Sequence, residues 1–255
     1  MTRPEGLLTG IVAGTTGDAP PLTVGAALPH PPFELMEDGK PAGFDIELMQ
    51  LVAGRIGRSW RLEPYEAPDF NGIFDRLSSG AYDCVASGAT ITLERRKLAD
   101  FCDPYAVSGQ SLVVDAERLP NVRSIGDLKG LTIGVQEGNT SQPVANLLVA
   151  EGKAARVKVY AYGEIERAMA DLSHGFCDAL MKLTPVAAWF TRSRPRLQVV
   201  QTGITHELLG VCVRRGDRAL MEAINQAQRA LRQDGTVPRL AAKWLGPGAR
   251  VSSYP

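Results

Sequence analysis

This sequence lacks net charge, because its 28 basic and 28 acidic residues cancel over 255 positions. A balanced surface gives no electrostatic reason to expect nucleic acid or an anionic membrane as a partner. Its apolar runs fall far short of the roughly 20 residues that a bilayer-spanning helix needs. With 44% hydrophobic residues, the chain can still build one large domain or two medium ones, each with its own core.

Cysteine and histidine are scarce and scattered. The cysteines are Cys84, Cys102, Cys177 and Cys212. Without a C-x-x-C pair they are interpreted as buried apolar side chains, and a Cys84–Cys102 disulfide stays open. The three histidines lie too far apart for a metal cluster, and the common catalytic and nucleotide-binding motifs are absent. The sequence therefore predicts no metal, no cofactor and no catalytic residue.

One segment combines a hydroxyl-rich turn with an arginine. It reads Gly88-Ala89-Thr90-Ile91-Thr92-Leu93-Glu94-Arg95. A guanidinium is always charged and offers a planar fork of donors that matches a carboxylate. Backbone N–H groups near the start of a helix supply further donors for the same anion. The segment is therefore interpreted as a carboxylate receptor.

Two similar series of strands and helices follow each other along the chain. In the first series, the pattern predicts strands at residues 22–26, 60–64 and 84–87 and helices at 43–55 and 71–79. In the second series, it predicts strands at 131–135, 157–160, 179–181, 197–200 and 209–213 and helices at 141–150, 164–173, 218–233 and 237–245. This alternation predicts α/β lobes, each with a parallel sheet between helices.

The predicted division assigns residues 22–110 and 204–246 to one lobe and residues 111–203 to the other. Residues 1–21 are interpreted as a leader or disordered segment, and residues 247–255, rich in Gly, Pro and Ser, as a frayed tail. Ligands of such sheets bind at the carboxyl ends of the strands. The turns at 88–92 and 138–141 are therefore expected to converge on one cleft.

Ordered motifs between residues 22 and 245 resemble the bacterial extracellular solute-binding protein family 3, the binding proteins of polar amino-acid ABC transporters. The runs that carry the resemblance lie at residues 31–33, 43–48, 70–74, 90–95, 100–105, 128–130, 133–135 and 210–217. The resemblance implies a type II periplasmic-binding-protein-like fold. In such a fold, two α/β lobes are joined by two crossing strands and close on a small ligand like a hinge.

The resemblance also implies roles for individual residues. Arg95 would pair with the α-carboxylate of the ligand, and Thr90 and the backbone of Gly88 would line the same lobe. Thr140 and the amide of Asn139 would meet the carboxylate from the other lobe.

Three more positions are expected at the rest of the ligand. Phe70 and His30 occupy positions where family members often place an aromatic side chain against the ligand. Lys182 could favour a second anionic group.

The chain departs from the family at Leu183. The family usually places an aspartate there, which would hold the α-ammonium of the ligand. Because leucine cannot pair a cation, either the amine is held elsewhere, by Glu207 or Glu34, or the ligand has no α-ammonium. The expected ligand is a small carboxylic acid.

The implied function is capture of an amino acid or related organic acid and its presentation to an ABC permease. The protein is expected to be a periplasmic monomer, although no signal peptide is evident, which leaves a cytoplasmic location and a stand-alone sensor open. Cyclohexadienyl dehydratases resemble this family and form the enzyme alternative. Catalysis is not expected, because residues 183–186 lack the carboxylate that this chemistry needs.

Overall fold

A computed structural model describes residues 19–246 and 250–251, so most of the predicted leader and tail lies outside the described residues. Within this part of the chain, every helix is too short or too polar to span a bilayer.

Fifteen strands are present in the described part of the chain. They are β1 (Leu22–Ala26), β2 (Leu35–Glu37), β3 (Lys40–Ala42), β4 (Trp60–Pro64), β5 (Cys84–Val85), β6 (Ala99–Phe101), β7 (Ala106–Ser108), β8 (Gln110–Asp115), β9 (Thr132–Gln136), β10 (Arg156–Tyr160), β11 (Ala179–Leu183), β12 (Leu197–Gln201), β13 (Glu207–Leu209), β14 (Cys212–Arg214) and β15 (Arg250–Val251).

Eight α-helices accompany the strands in the same residues. They are α1 (Phe44–Arg55), α2 (Gly72–Ser78), α3 (Leu93–Arg96), α4 (Ser141–Ala150), α5 (Ile165–His174), α6 (Thr184–Thr191), α7 (Arg218–Gln233) and α8 (Thr236–Trp244). Local chemistry sets several ends. The Asp217 side chain accepts a hydrogen bond from the Leu220 N–H at the start of α7, and left-handed Gly175 and Gly235 follow α5 and α7.

Two five-stranded sheets form the centres of two lobes. The first sheet has the order β4-β1-β5-β14-β6 and the second the order β10-β9-β11-β8-β12. In each, the first three strands run parallel, the fourth is antiparallel to the third, and the fifth is antiparallel to the fourth. The parallel part agrees with the sequence prediction. The antiparallel pairing was not predicted, because it involves segments that cross between the lobes or return from the second lobe.

Helices cover both sheets. The first lobe carries α1, α2, α7 and α8, and the second carries α4, α5 and α6. The core of the first lobe is packed tightly at Gly25, where a Cβ would lie 2.5 Å from Cδ2 of the buried Tyr82 ring. Any larger residue there would separate β1 from its covering layer.

A small sheet joins the lobes where the chain crosses. Strand β13 pairs with β7, and β15 pairs with the other edge of β7. Strand β7 leads through Gly109 into β8 of the second sheet, and β12 leads back to β13. Two crossing strands thus connect the lobes, as the resemblance implies. The division at 110/111 and 203/204 stays a prediction.

One predicted strand is divided. Residues 209–213 were predicted as one strand, but β13 and β14 belong to different sheets and are separated at Gly210. A Cβ at Gly210 would lie 3.0 Å from Cδ1 of Ile91, so the chain passes close to the neighbouring turn there. The strand is interrupted because β13 pairs with β7 of the small sheet, whereas β14 pairs with β5 and β6 of the first sheet.

The four cysteines are buried and free. Cys84, Cys102 and Cys212 lie in or next to strands of the first sheet, and Cys177 lies just before β11 of the second. Burial raises the pKa of each of these thiols, that of Cys212 to about 12. The prediction of buried apolar cysteines is confirmed. Cys84 and Cys102, both among the described residues, do not form a disulfide.

Candidate functional site

A cavity lies between the two lobes, at the carboxyl ends of the parallel strands. Its lining residues are His30, Phe70, Ser87, Gly88, Thr90, Arg95, Gln110, Asn139, Thr140, Ser141, Lys182 and Leu183. All nine residues predicted from the sequence are among them. Ser87, Gln110 and Ser141 were not predicted. Ser87 and Ser141 directly adjoin predicted residues, which is the signal that could have found them.

Arg95 lies on α3, a single turn whose geometry the sequence encodes locally. The Thr92 side chain accepts a hydrogen bond from the Arg95 N–H at 3.1 Å, which caps the turn. This cap holds the arginine backbone beside the Gly88–Thr90 turn. Thr90 in turn forms an isolated bridge with Leu209 of the crossing strand β13.

The Arg95 guanidinium is 6% exposed and donates to three neutral oxygens. Nε donates to Asn71 Oδ1 at 3.2 Å, Nη1 to the Thr90 carbonyl at 3.0 Å, and Nη2 to the Gly138 carbonyl at 3.0 Å. Its Cζ lies 4.8 Å from the centroid of the Phe70 ring. Burial lowers the pKa of Arg95 to about 10, which still leaves the group charged at neutral pH.

No acidic side chain of the described residues forms an ion pair with Arg95 or with Lys182. Buried charges in proteins are normally paired, because desolvating an isolated charge is costly. Two buried cations without an anionic partner therefore line one cavity.

Asp45 holds the Gly88 turn in place from behind. Its buried Oδ2 accepts hydrogen bonds from the Gly88 N–H at 2.5 Å and from the Tyr105 hydroxyl at 3.0 Å. Desolvation raises the pKa of Asp45 from 3.8 to about 7, because burial outweighs these two hydrogen bonds. The Gly88 amide is thus committed to Asp45. A ligand would therefore contact other groups of this turn and not the Gly88 N–H.

We expect Asp45 to make the free energy of unfolding fall as the pH rises from about 4 to about 7. In this window the folded state keeps a proton that the unfolded state releases, so stability present below the unfolded pKa is lost as pH passes the folded pKa. Asp45→Asn cannot ionise and should remove this component. Urea denaturation at pH 5 and pH 8 gives the free energy of unfolding of both proteins. Between these two pH values, the difference between variant and wild type should change by about 2 kcal/mol in favour of the variant. A difference that is the same at both pH values would contradict the assignment.

The second lobe contributes the turn that precedes α4. Thr140 is the N-cap residue just before this helix, yet its hydroxyl makes no capping hydrogen bond. The hydroxyl instead contacts Gln110 and Glu207. Gly138, in the same turn, packs directly on the first lobe. A Cβ there would collide with Asp69 Oδ1 and lie 2.8 Å from the Phe70 nitrogen.

Glu207 links the two lobes through a buried carboxylate. Oε2 accepts hydrogen bonds from the Thr90 hydroxyl at 2.6 Å and from the Thr140 hydroxyl at 2.8 Å. Oε1 accepts from Gln110 Nε2 at 2.9 Å and from the Thr205 hydroxyl at 2.6 Å. Both threonines donate to Glu207, so their oxygens can still accept hydrogen bonds. One lone pair of the Thr140 oxygen already accepts from Gln110 Nε2 at 3.0 Å.

Lys182 and His30 lie in the polar part of the cavity. Lys182 is 2% exposed, and its Nζ lies 3.4 Å from Asn139 Oδ1 and 5.8 Å from the centroid of the Tyr162 ring. His30 stacks on Phe33 with 5.5 Å between ring centroids. Burial is the main cause that lowers the pKa of His30 well below 6.5, so the ring is neutral at pH 7.

Glu34 lies behind His30. One oxygen accepts a hydrogen bond from the Ser87 hydroxyl and lies 3.3 Å from His30 Nδ1. Burial, reinforced by Asp45, raises the pKa of Glu34 well above 4.5. Burial therefore favours the neutral form of this acid.

The lobes are in contact around this cavity. The Tyr162 N–H donates to the Pro68 carbonyl at 2.7 Å, and the Phe70 N–H donates to the Glu137 carbonyl at 3.3 Å. The space between the lining residues is about 10 Å³, which accommodates about one water molecule. A solute of amino-acid size therefore enters only if the lobes separate or the lining side chains rotate.

Within the described residues, no group of three or more His, Cys, Asp or Glu side chains is placed to hold a metal ion. The arrangement offers hydrogen-bond donors and positive charge, which suits recognition of a polar anionic solute.

Comparisons with known proteins agree with this architecture. The family described as bacterial extracellular solute-binding proteins, family 3, matches residues 22–247. The L-cystine-binding protein TcyJ of Escherichia coli K12 is 31% identical over 245 residues, which cover 95% of this chain and 87% of that protein.

Two solved structures are also similar. An ancestral arginine-binding protein bound to arginine is 35% identical, with a TM-score of 0.79 over 88% of this chain and 98% of that one. An ancestral amino acid-binding protein, described as a precursor of cyclohexadienyl dehydratase, is 32% identical, with a TM-score of 0.77 over 88% and 94%. The two-lobed fold predicted from the sequence is confirmed, and the chain belongs to the bacterial extracellular solute-binding proteins, family 3.

Proposed function

We propose that this solute-binding protein captures a small carboxylate-bearing ligand, an amino acid or related organic acid, and delivers it as a periplasmic monomer to an ABC permease. The observation that carries the proposal is the buried Arg95 guanidinium, which lacks an anionic partner among the described residues. A ligand carboxylate would supply that partner. In a water-poor cleft, such a charge-assisted pair is stronger than at the surface.

Closure supplies the signal to the permease. Arg95 already contacts the Gly138 carbonyl of the opposite lobe, so the residue that would bind the ligand also joins the lobes. Thr140 likewise reaches Glu207 from the second lobe. A bound solute would add contacts to both walls and favour the closed shape over the open one.

An ammonium group, in ligands that carry one, is assigned to the Thr90 and Thr140 hydroxyls. Their oxygens can accept hydrogen bonds while the charge of Glu207 stabilises the cation from behind. Glu34 is the weaker candidate, because its raised pKa favours the neutral acid. Leu183 lines the cavity and offers no acceptor in its side chain.

The enzyme alternative is suggested by the similarity to an ancestral amino acid-binding protein that is described as a precursor of cyclohexadienyl dehydratase. Among the described lining residues, however, none carries a carboxylate that could act as a general acid. Incubation with prephenate or arogenate should show no product above the uncatalysed rate. Sustained turnover would replace the binding proposal with the enzymatic one.

The proposed function is tested with a panel of amino acids, oxo acids, dicarboxylates and aromatic acids, matched with their uncharged amides. A tight ligand raises the melting temperature by mass action, by an amount that grows with ligand concentration. We expect at least one carboxylate to bind with a stoichiometry of one in calorimetry. Failure of every carboxylate, or equal binding of the corresponding amides, would contradict the proposal.

A further inference from the structure

Arg95 accounts for one anionic group of a ligand, but the cavity contains a second cation. Lys182 is the penultimate residue of β11, and its side chain is among the largest fully buried side chains of the described residues. Among the described residues, its ammonium group makes one hydrogen bond, the long one to Asn139 Oδ1 at 3.4 Å. An ammonium group has three donors. Most of its hydrogen-bonding capacity is therefore unused by the described part of the chain.

The nearby acids do not supply the missing partner. Glu34 is held by Ser87, and its raised pKa suppresses its charge. Glu207 accepts four hydrogen bonds from neutral donors and makes no ion pair with Lys182. A structural lysine buried beside apolar residues would be expected to extend its ammonium group to a carboxylate or to water. Lys182 makes no ion pair with the described residues, and its buried side chain lines the cavity.

Other polar atoms around the cavity are also without partners. Buried atoms that make no hydrogen bond to the described residues include His30 Nε2, Gln110 Oε1, Asn139 Nδ2 and Ser141 Oγ. Buried polar atoms are normally satisfied. Their concentration on the walls that Lys182 shares indicates a polar ligand that extends beyond the group held by Arg95.

We propose that Lys182 binds a second anionic group, so that the solute is a small acid with two carboxylates, such as an acidic amino acid or an unsubstituted dicarboxylate. This inference rests on the proposed function, because it takes Arg95 as the anchor of the first carboxylate. Cationic amino acids would place a positive group against Lys182 or Arg95 and are disfavoured by like-charge repulsion. Specificity would thus differ from that of the arginine-bound ancestral relative.

A proton should accompany the second anion. Burial lowers the pKa of Lys182 to about 7, so the amine is largely neutral at pH 8. The charged or titratable groups that face it are Glu34, Glu207, Arg95, His30 and Tyr162. A ligand carboxylate beside Nζ would raise the pKa and draw in a proton. Affinity for a ligand with two carboxylates should therefore fall as pH rises above about 7.

Calorimetry with matched pairs of ligands tests the inference. The probes are aspartate against asparagine, glutamate against glutamine, glutarate against pentanoate, and arginine. Each pair has similar shape but differs by one charge. We expect at least one dicarboxylate to bind ten-fold or more tightly than its partner. Its binding should take up close to one proton at pH 8, as measured in buffers of different ionisation enthalpy.

Lys182→Met removes the charge but keeps an unbranched apolar side chain, and Lys153→Met is the matched control at an exposed lysine of the same lobe. The first variant should lose ten-fold or more in affinity for the dicarboxylate, lose the proton uptake, and leave binding of the partner with one carboxylate unaffected. The control should bind as the wild type does. If Lys182 only positions Asn139, both members of a pair will weaken equally, which overturns the inference.

The same measurements distinguish a failure of the Lys182 proposal from a failure of the proposed function. A wild-type protein that prefers an amide, a monocarboxylate or arginine overturns the role of Lys182 and leaves the proposed function in place. A wild-type protein that binds none of the carboxylates overturns both.

Discussion

Arg95→Met should lower the affinity for a carboxylate ligand by roughly 2–5 kcal/mol, or about 30-fold to several thousand-fold. The ligand anion would lose its charged partner inside a cleft where water cannot replace it. Titration calorimetry of the wild type and the variant measures the effect with any ligand identified in the panel. An affinity that stays within three-fold of the wild type would remove Arg95 from the site.

The neighbouring Arg96 provides the control, since it occupies the same turn but is exposed. Arg96→Met should bind normally. In the ligand-free protein, Arg95→Met should retain near-wild-type stability, because loss of three hydrogen bonds is offset by removal of an unpaired buried charge beside Phe70 and Phe74. Urea unfolding separates a binding defect from a folding defect.

Glu207→Gln should weaken both closure and folding. An amide keeps one acceptor oxygen and presents an NH₂ group to two of the four donors that now point at the carboxylate. Each buried donor left without an acceptor costs about 1–3 kcal/mol. We expect the free energy of unfolding to fall by about 2–3 kcal/mol, measured by urea denaturation.

Glu222→Gln is the control, because this exposed glutamate makes only surface contacts with Gln226 and Arg229. It should change stability by less than about 1 kcal/mol. The same variants also test the amine assignment. Glutamate should lose more affinity in Glu207→Gln than 2-oxoglutarate, which lacks the ammonium group. Equal losses would show that Glu207 supports the closed lobes without recognising the amine.

The sequence predicts the long elements of this fold well. Helices α1 and α7 have clear ends, and strands such as β1 and β4 are bounded by turn residues that are visible locally. The short strands β6, β7 and β15 carry too few residues for a periodic pattern. They form because partners from distant parts of the chain pair with them, and pairing of this kind is not visible in local spacing.

The site shows the same contrast. The turn around Arg95 is encoded within a few residues, so its chemistry can be predicted before the fold is known. The Glu207 network joins residues separated by 117 and 67 positions along the chain. The sequence indicated only that Glu207 was one of two candidates for the amine. Its role in joining Thr90 to Thr140 depends on how the lobes close.

Each lobe contains at least one buried cysteine, and chemical labelling of that thiol would report when the lobe unfolds. A reagent that attacks the thiolate is blocked twice, by burial and by the raised pKa, until the surrounding lobe opens. Cys84, Cys102 and Cys212 would record exposure of the first sheet, and Cys177 that of the second. Mass spectrometry of the labelled cysteines would then show which lobe unfolds first, without any engineered probe.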